Sequence, residues 1–249
     1  MSSVCENCLN EIKYHSSNTD SFSNKKFDIY FCNRCFIGKT NLDKDFDFTT
    51  HYPKNYYGKD GKKFNFLVEF IVLFFRYLRS LFCYRLFNKK SIKLLDIGCG
   101  RGQFIYLMKK KGWFVYGTKT SSISALAAKK RVGDDAILIN KDLSELKNID
   151  IVFDMITLWH VLEHVPNLFE YIETLKSLLK ENGILIIAVP NYKSYDATYY
   201  KEFWAAYDVP RHLWHFSSKG IKKLFAQFNS RTHYRPQNEP QTQNMPPGG

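Results

Sequence analysis

Three groups of residues in this chain have the types and spacing that chemistry requires. Cys5 and Cys8, then Cys32 and Cys35, form two C-x-x-C pairs. Thiolates two residues apart on a tight turn can share one tetrahedral ion, and two such turns complete its coordination, leaving no open position for catalysis. The start of the chain lacks the apolar stretch of a secretion signal, so the pairs read as a structural zinc ribbon rather than as disulfides. One feature departs from the usual pattern: Leu9 and Phe36 follow the second cysteines, where Gly is common. The second group is "LLDIGCGRGQF", which sets Asp96, Gly98, Gly100 and Gly102 at alternate positions. Glycines at such a turn let a ligand approach the backbone at a helix N-terminus. The spacing is not the G-x-G-x-x-G of dinucleotide proteins, and the leading carboxylate would repel a pyrophosphate but suit an ammonium group. The third group is "LWHVLEH", in which His160, Glu163 and His164 follow the H-x-x-E-H order of inverted zinc peptidases.

The elements that must position these residues decide between readings. From Ser91 short apolar runs alternate with helical segments, which predicts helices wrapped around a parallel sheet. The strands are "IKLLDIG", "WFVYG", "AILI", "IVFDMITL" and "ILIIAVP". The helices start at Gln103, with Phe104, Leu107 and Met108 on one face, at Ser122, and at Asn167, with Leu168, Ile172, Leu175 and Leu179 on one stripe. A peptidase motif needs one long helix, whereas this one follows a strand directly and meets Pro166 two residues later, so the peptidase reading fails. His160 instead falls at the carboxyl end of a parallel strand, where ligands of such sheets bind. Two roles stay open for Glu163 and His164: with His160 and either His212 or His215 they hold a divalent ion, or they cap the following loop.

The expected fold class is therefore α/β, a doubly wound, mostly parallel Rossmann-like sheet with a small N-terminal zinc ribbon. The expected divisions are 1–45 for the ribbon, 46–90 for a connector and amphipathic helix, 91–228 for the main domain, and 229–249 for a polar, disordered tail. The sheet is expected to lack its C-terminal edge strands. The apolar segment from Phe64 to Phe87 is interrupted by Glu69, Arg76, Arg79 and Arg85, which excludes a transmembrane helix. Glu69, Arg76 and Arg79 share one face opposite an aromatic and aliphatic surface, which predicts a helix packed on the domain, with peripheral membrane contact as the alternative. The chain carries 36 Lys and Arg against 24 Asp and Glu, a net charge of +12. The bases are dispersed and the aromatics lie in core and lid segments, so nucleic acid is not the expected partner. A cytoplasmic location follows from the missing signal.

From about Lys93 to Phe228 the chain resembles the class I S-adenosylmethionine-dependent methyltransferases. The resemblance rests on "LLDIGCGRGQF", "FDMITLWHVLEHVPN", "LLKENGILIIAVPN" and "FWAAYDVPRHLWHFS". The last stretch and the cysteine pairs look most like bacterial enzymes that modify sugars, lipid-linked glycans or secondary metabolites. The resemblance implies that Asp96, Gly98 and Gly100, with Cys99 and Gly102 in the same turn, receive the methionine portion of the cofactor. It places Asp142 and Leu143 by the adenine and His160 beside the cofactor. A small-molecule, sugar or lipid-linked acceptor is implied, with His160, His212 or His215 as base and Arg211 and Tyr207 as anchors. A noncatalytic relative acting as a binding module, or an RNA methyltransferase, are the rival readings.

One position departs from the family: Lys119 stands where an acid usually accepts both ribose hydroxyls. Losing a charged acceptor costs about 1.5 to 3 kcal/mol. Lys119→Glu is therefore expected to tighten binding of S-adenosylhomocysteine about tenfold or more, measured by calorimetry. Unchanged or weaker binding would show that this position does not meet the ribose.

Overall fold

The computed structural model describes residues 4–43, 45–47, 51, 66–118, 122–133, 137–139, 146 and 150–226. Three strands open the chain, β1 (Ile12–Thr19), β2 (Lys26–Cys32) and β3 (Ile37–Thr40). Helix α1 (Phe66–Phe87) leads into the alternating half. There β4 (Lys93–Ile97), α2 (Gln103–Lys110), β5 (Phe114–Thr118), α3 (Ser122–Val132), β6 (Ile137–Ile139) and β7 (Phe153–Trp159) follow in order. Helix α4 (Leu168–Leu178), β8 (Leu179–Ala188), the short α5 (Tyr195–Tyr200), β9 (Trp214–Phe216) and α6 (Ser218–Leu224) complete the described chain.

Five strands form a parallel sheet in the order β6-β5-β4-β7-β8. This is the expected Rossmann-like sheet. Successive residues point to opposite faces of a strand, and the two cores divide accordingly. Leu94, Met155, Ile184 and Ile186 pack under α1 and α2 with Phe104, Ile105 and Met108, whereas Leu95, Ile156 and Leu185 pack under α4. Helix α4 is shorter than its periodicity predicts. It ends at Leu178, and Leu179 already has strand geometry and pairs with Phe153 of β7. The apolar stripe runs on past the helix because Leu179 is half-buried as the first residue of β8.

The strand order reverses at β4, so the carboxyl ends of β4 and β7 lie side by side, Ile97 in register with Leu158. Ligands of open parallel sheets bind in the crevice at such a switch point.

The N-terminal strands form an antiparallel sheet whose fourth member comes from the far end of the chain, in the order β1-β2-β3-β9. Trp214 and Phe216 of β9 join Cys32, Cys35 and Ile37 in the same core as α4. The backbone comes very close here, since a Cβ on Gly220 would stand 2.3 Å from the carbonyl oxygen of Phe36. The aromatic segment expected to form a lid is thus the seam between the cysteine module and the parallel sheet.

Helix α1 is turned the other way from the amphipathic expectation. Its inner side carries Arg79, Ser80 and Cys83, while most of its large apolar side chains face outward. The charged stripe packs on the domain because it finds a carboxylate and an aromatic ring there.

Candidate functional site

The turn after β4 passes through Gly98, Gly100 and Gly102 with φ of 69°, 59° and 73°. Only glycine enters this left-handed region without strain. At Gly98 a Cβ would also meet Val161 at 2.7 Å, whereas at Gly100 nothing lies within 4 Å, which leaves that face open to a ligand. The turn is pinned to the end of β5: the Gly98 amide donates to Thr118 Oγ1 at 3.2 Å and the Cys99 amide to the Thr118 carbonyl at 3.1 Å. The Cys99 side chain is buried in the core under α2, so this residue offers a ligand its backbone only.

Asp96 ends buried at the base of the turn and accepts a 2.6 Å hydrogen bond from Thr157 Oγ1. Burial pushes its pKa up to about 7, against the opposing influence of Thr157, Arg79 and Arg76. Arg79 reaches in from α1, its guanidinium 3.9 Å from the centroid of the Trp159 ring. Burial pulls the Arg79 pKa down, and the attraction of Asp96 opposes that. A carboxylate at the base of an open glycine turn suits an ammonium group, and Arg79, which acts on the Asp96 charge from over the Trp159 ring, is a cation available to a ligand carboxylate. Sequence reading missed Arg79, because nothing in the spacing of α1 says which side of the helix meets the sheet.

A second group stands at the end of β7. His160 has a left-handed backbone, φ 55°, and its side chain is 61% exposed on the rim. Its Nδ1 lies 3.4 Å from Oε1 of Glu163, which is fully buried; neither carboxylate oxygen accepts a hydrogen bond among the described residues. A buried carboxylate whose one close polar contact is a histidine on the rim is costly and rare. Burial alone would raise the Glu163 pKa, but His160, His212 and His164 together hold it below the usual value. His164 Nδ1 lies 2.9 Å from the carbonyl of Arg211 and His212 Nδ1 2.8 Å from that of Ala206. A carbonyl only accepts, so each Nδ1 carries the proton and each Nε2 keeps its lone pair. Burial, reinforced by His164, lowers the pKa of His212, so this ring stays neutral. One ligand atom each of Glu163, His164 and His212 lies within 4.8 Å of the others.

The other sequence-based candidates fall elsewhere. His215 is buried in the seam, its Nε2 2.9 Å from Thr40 Oγ1, and burial lowers its pKa strongly. Arg211 is buried against Asp20 and Asp208, and Tyr207 bonds His15 at 3.0 Å, so the polar groups of both are engaged within the seam. Lys119, Asp142 and Leu143 lie outside the described residues.

In the N-terminal sheet module Cys5, Cys8, Cys32 and Cys35 converge, with all four sulfurs within 4.8 Å of one another. Two of the separations are 3.9 Å for Cys5 and Cys35 and 3.5 Å for Cys8 and Cys32. Zinc–sulfur bonds of about 2.3 Å in a tetrahedron would set the sulfurs about 3.8 Å apart, so the donor set fits that ion. Leu9 and Phe36 take the glycine conformation, φ 56° and 59°, and their amides donate to the carbonyls of Cys5 and Cys32 at 2.8 Å. Both turns therefore keep the knuckle shape despite their side chains. The Leu9 side chain is 77% exposed, so Leu9→Gly loses little packing and is expected to stabilise the protein by about 0.5–1 kcal/mol. A urea midpoint that stays level or falls would show that the turn is not strained.

Residues 73–233, more than half of the chain, match the family described as a methyltransferase domain. The chain belongs to this methyltransferase family. Among curated relatives, the ubiquinone biosynthesis O-methyltransferase of Glaesserella parasuis serovar 5 is 36% identical over 114 residues, covering 43% of this chain and 47% of that protein. Its counterpart from Pelagibacter ubique is 33% identical over 108 residues, covering 41% and 43%. The methyltransferase chain spans about half the length of the curated relatives it matches. Among solved structures, the magnesium protoporphyrin IX methyltransferase of Synechocystis PCC 6803 superposes with a TM-score of 0.53 at 20% identity, over 68% of this chain and 78% of that one. The plantazolicin methyltransferase BpumL gives 0.51 at 22%, over 62% and 63%. These two likenesses are of fold.

Proposed function

We propose that the chain transfers a methyl group from S-adenosylmethionine to a small-molecule, sugar or lipid-linked acceptor. The observation that carries this reading is the glycine turn after β4, open at Gly100, with the Asp96 carboxylate buried at its base and held there by Thr157; Arg79, over the Trp159 ring, acts on the Asp96 charge. The methionine end of the cofactor is a zwitterion, and its ammonium and carboxylate match Asp96 and Arg79. In the resemblance-based part of the reading, Lys119 meets the ribose and Asp142 and Leu143 the adenine. The cofactor supplies an activated methyl group for in-line displacement; the chain's own residues align the acceptor and take its proton. His160 is the base of this reading, exposed on the rim and backed by the Glu163 carboxylate at 3.4 Å, which would stabilise the imidazolium as it forms. The four cysteines carry a structural zinc, expected as one equivalent per chain by metal analysis and lost in Cys8→Ser.

Calorimetric titration with S-adenosylhomocysteine tests the cofactor reading. In the free protein the folded Asp96 pKa is raised to about 7, so below that pH an incoming ammonium must displace a proton. Affinity is therefore expected to rise about tenfold per pH unit toward pH 7 and then level, with the slope abolished in Asp96→Asn. Absence of binding to folded, zinc-loaded protein would sink the reading.

The Glu163 oxygens, buried and without a hydrogen bond among the described residues, support a second reading, in which Glu163, His164 and His212 hold a divalent cation that orients an acceptor hydroxyl. Manganese titration followed by electron paramagnetic resonance separates the two. Bound manganese that Glu163→Gln releases favours the cation. No bound manganese, with a kcat lowered by Glu163→Gln at unchanged KM, favours the dyad.

A further inference from the structure

Helix α1 presents an apolar face to the outside. Phe70, Ile71, Phe74, Phe75, Leu78 and Phe82 are 39% to 64% exposed. At 100° per residue they share one broad side of a helix about 33 Å long. Contiguous exposed apolar surface on this scale marks an interaction site. Arg79, Ser80 and Cys83 on the opposite side fix the helix to the sheet, so the apolar face cannot turn inward without withdrawing Arg79 from Trp159.

The charge around this face selects its partner. From Phe66 to Lys90 the helix and the residues just past its end carry three Arg and two Lys against one acid, Glu69. Arg85, Lys89 and Lys90 are exposed at the end of the helix. A second copy docked on the same face would bring these bases together, and like charges across an interface disfavour it. Phospholipid headgroups of negative charge are complementary. Among the described residues no helix is long and apolar enough to cross a membrane, and Arg85 lies among the apolar residues, which suits a helix lying in the headgroup region.

We infer that α1 docks the protein on anionic lipid surfaces, with Phe70, Phe74, Phe75 and Leu78 inserted and Arg85, Lys89 and Lys90 at the phosphates. This surface is independent of the proposed reaction, and its test uses no cofactor. Flotation of the full chain with phosphatidylcholine vesicles containing phosphatidylglycerol is expected to carry the protein upward, and pure phosphatidylcholine to carry much less. Phe74→Ser with Phe75→Ser is expected to weaken binding about tenfold or more, and Arg85→Glu to weaken it in a salt-dependent way. Titration of the double variant with S-adenosylhomocysteine, compared with the unmutated chain, reports separately on its fold and on the cofactor site. Hydrogen exchange on the unmutated chain supplies a test free of substitutions: the amides of α1 become protected on anionic vesicles. Failure to float on either vesicle, protection confined to other elements, or a dimer in sedimentation that the double substitution dissociates would each overturn the inference.

Discussion

Arg211→Leu is expected to destabilise the protein by about 3–5 kcal/mol, the cost of leaving a buried charge without its partner. Arg211 crosses the seam between the cysteine module and the parallel sheet. Its Nη1 donates to Asp20 Oδ1 at 2.9 Å and to the carbonyl of His51 at 3.0 Å, and its Nη2 donates to Asp208 Oδ1 at 2.6 Å. Asp20 is fully buried and depends on these donors. Burial alone would raise its pKa, but hydrogen bonds from Ser23, His51 and Arg211 outweigh that and hold it well below the usual carboxylate range. A depressed folded pKa means that the stabilisation is complete at neutral pH and is lost as the pH falls through the folded value. The strut should therefore weaken only in strong acid. Urea denaturation at pH 7 measures the loss. Asp20→Leu combined with Arg211→Leu is expected to recover part of it, because the fully buried Asp20 charge is no longer stranded, while Asp208, which loses the same Arg211 partner, is partly exposed to solvent. A single-variant loss below about 1 kcal/mol would mean that the ion pair is solvated.

Arg79→Met is expected to weaken S-adenosylhomocysteine binding about ten- to a hundredfold, the effect of removing a charged hydrogen-bond donor. Methionine keeps a flexible apolar stem against Trp159, so α1 should remain in place and the change should lie in affinity rather than stability. Burial also holds the Asp96 pKa up while Arg79 lowers it; without Arg79 the pH at which binding levels off should move upward. Calorimetry across pH checks both. An unchanged affinity would assign Arg79 to packing alone.

The seam has a consequence for the proposed base. Thr40 of β3 donates its hydroxyl to the His212 carbonyl at 2.7 Å, and the Leu213 amide donates to the Glu163 carbonyl at 2.7 Å. The cysteine module thus fixes the backbone that carries His212, and the same backbone reaches the turn that carries Glu163.

What the sequence determined by itself was local. The glycine turn, its leading Asp96 and the two cysteine knuckles are written within a few residues, because left-handed backbone and ligand spacing are short-range requirements. The alternation of strands and helices from Ser91 onward likewise fixed the parallel sheet, and the strand directly before "HVLEH" excluded a peptidase helix. Only the tertiary structure decided which side of α1 faces the sheet. An amphipathic pattern shows two faces but not which one meets a partner, and the pull of Asp96 and Trp159 on Arg79 comes from residues far along the chain. The same holds for the separation of His212 from His215. They sit three residues apart in one aromatic stretch, yet pairing of β9 with β3, more than 170 residues away in sequence, buries His215 against Thr40 and leaves His212 beside Glu163. Contacts of that range depend on how the two sheets meet, and no pattern within either segment encodes it.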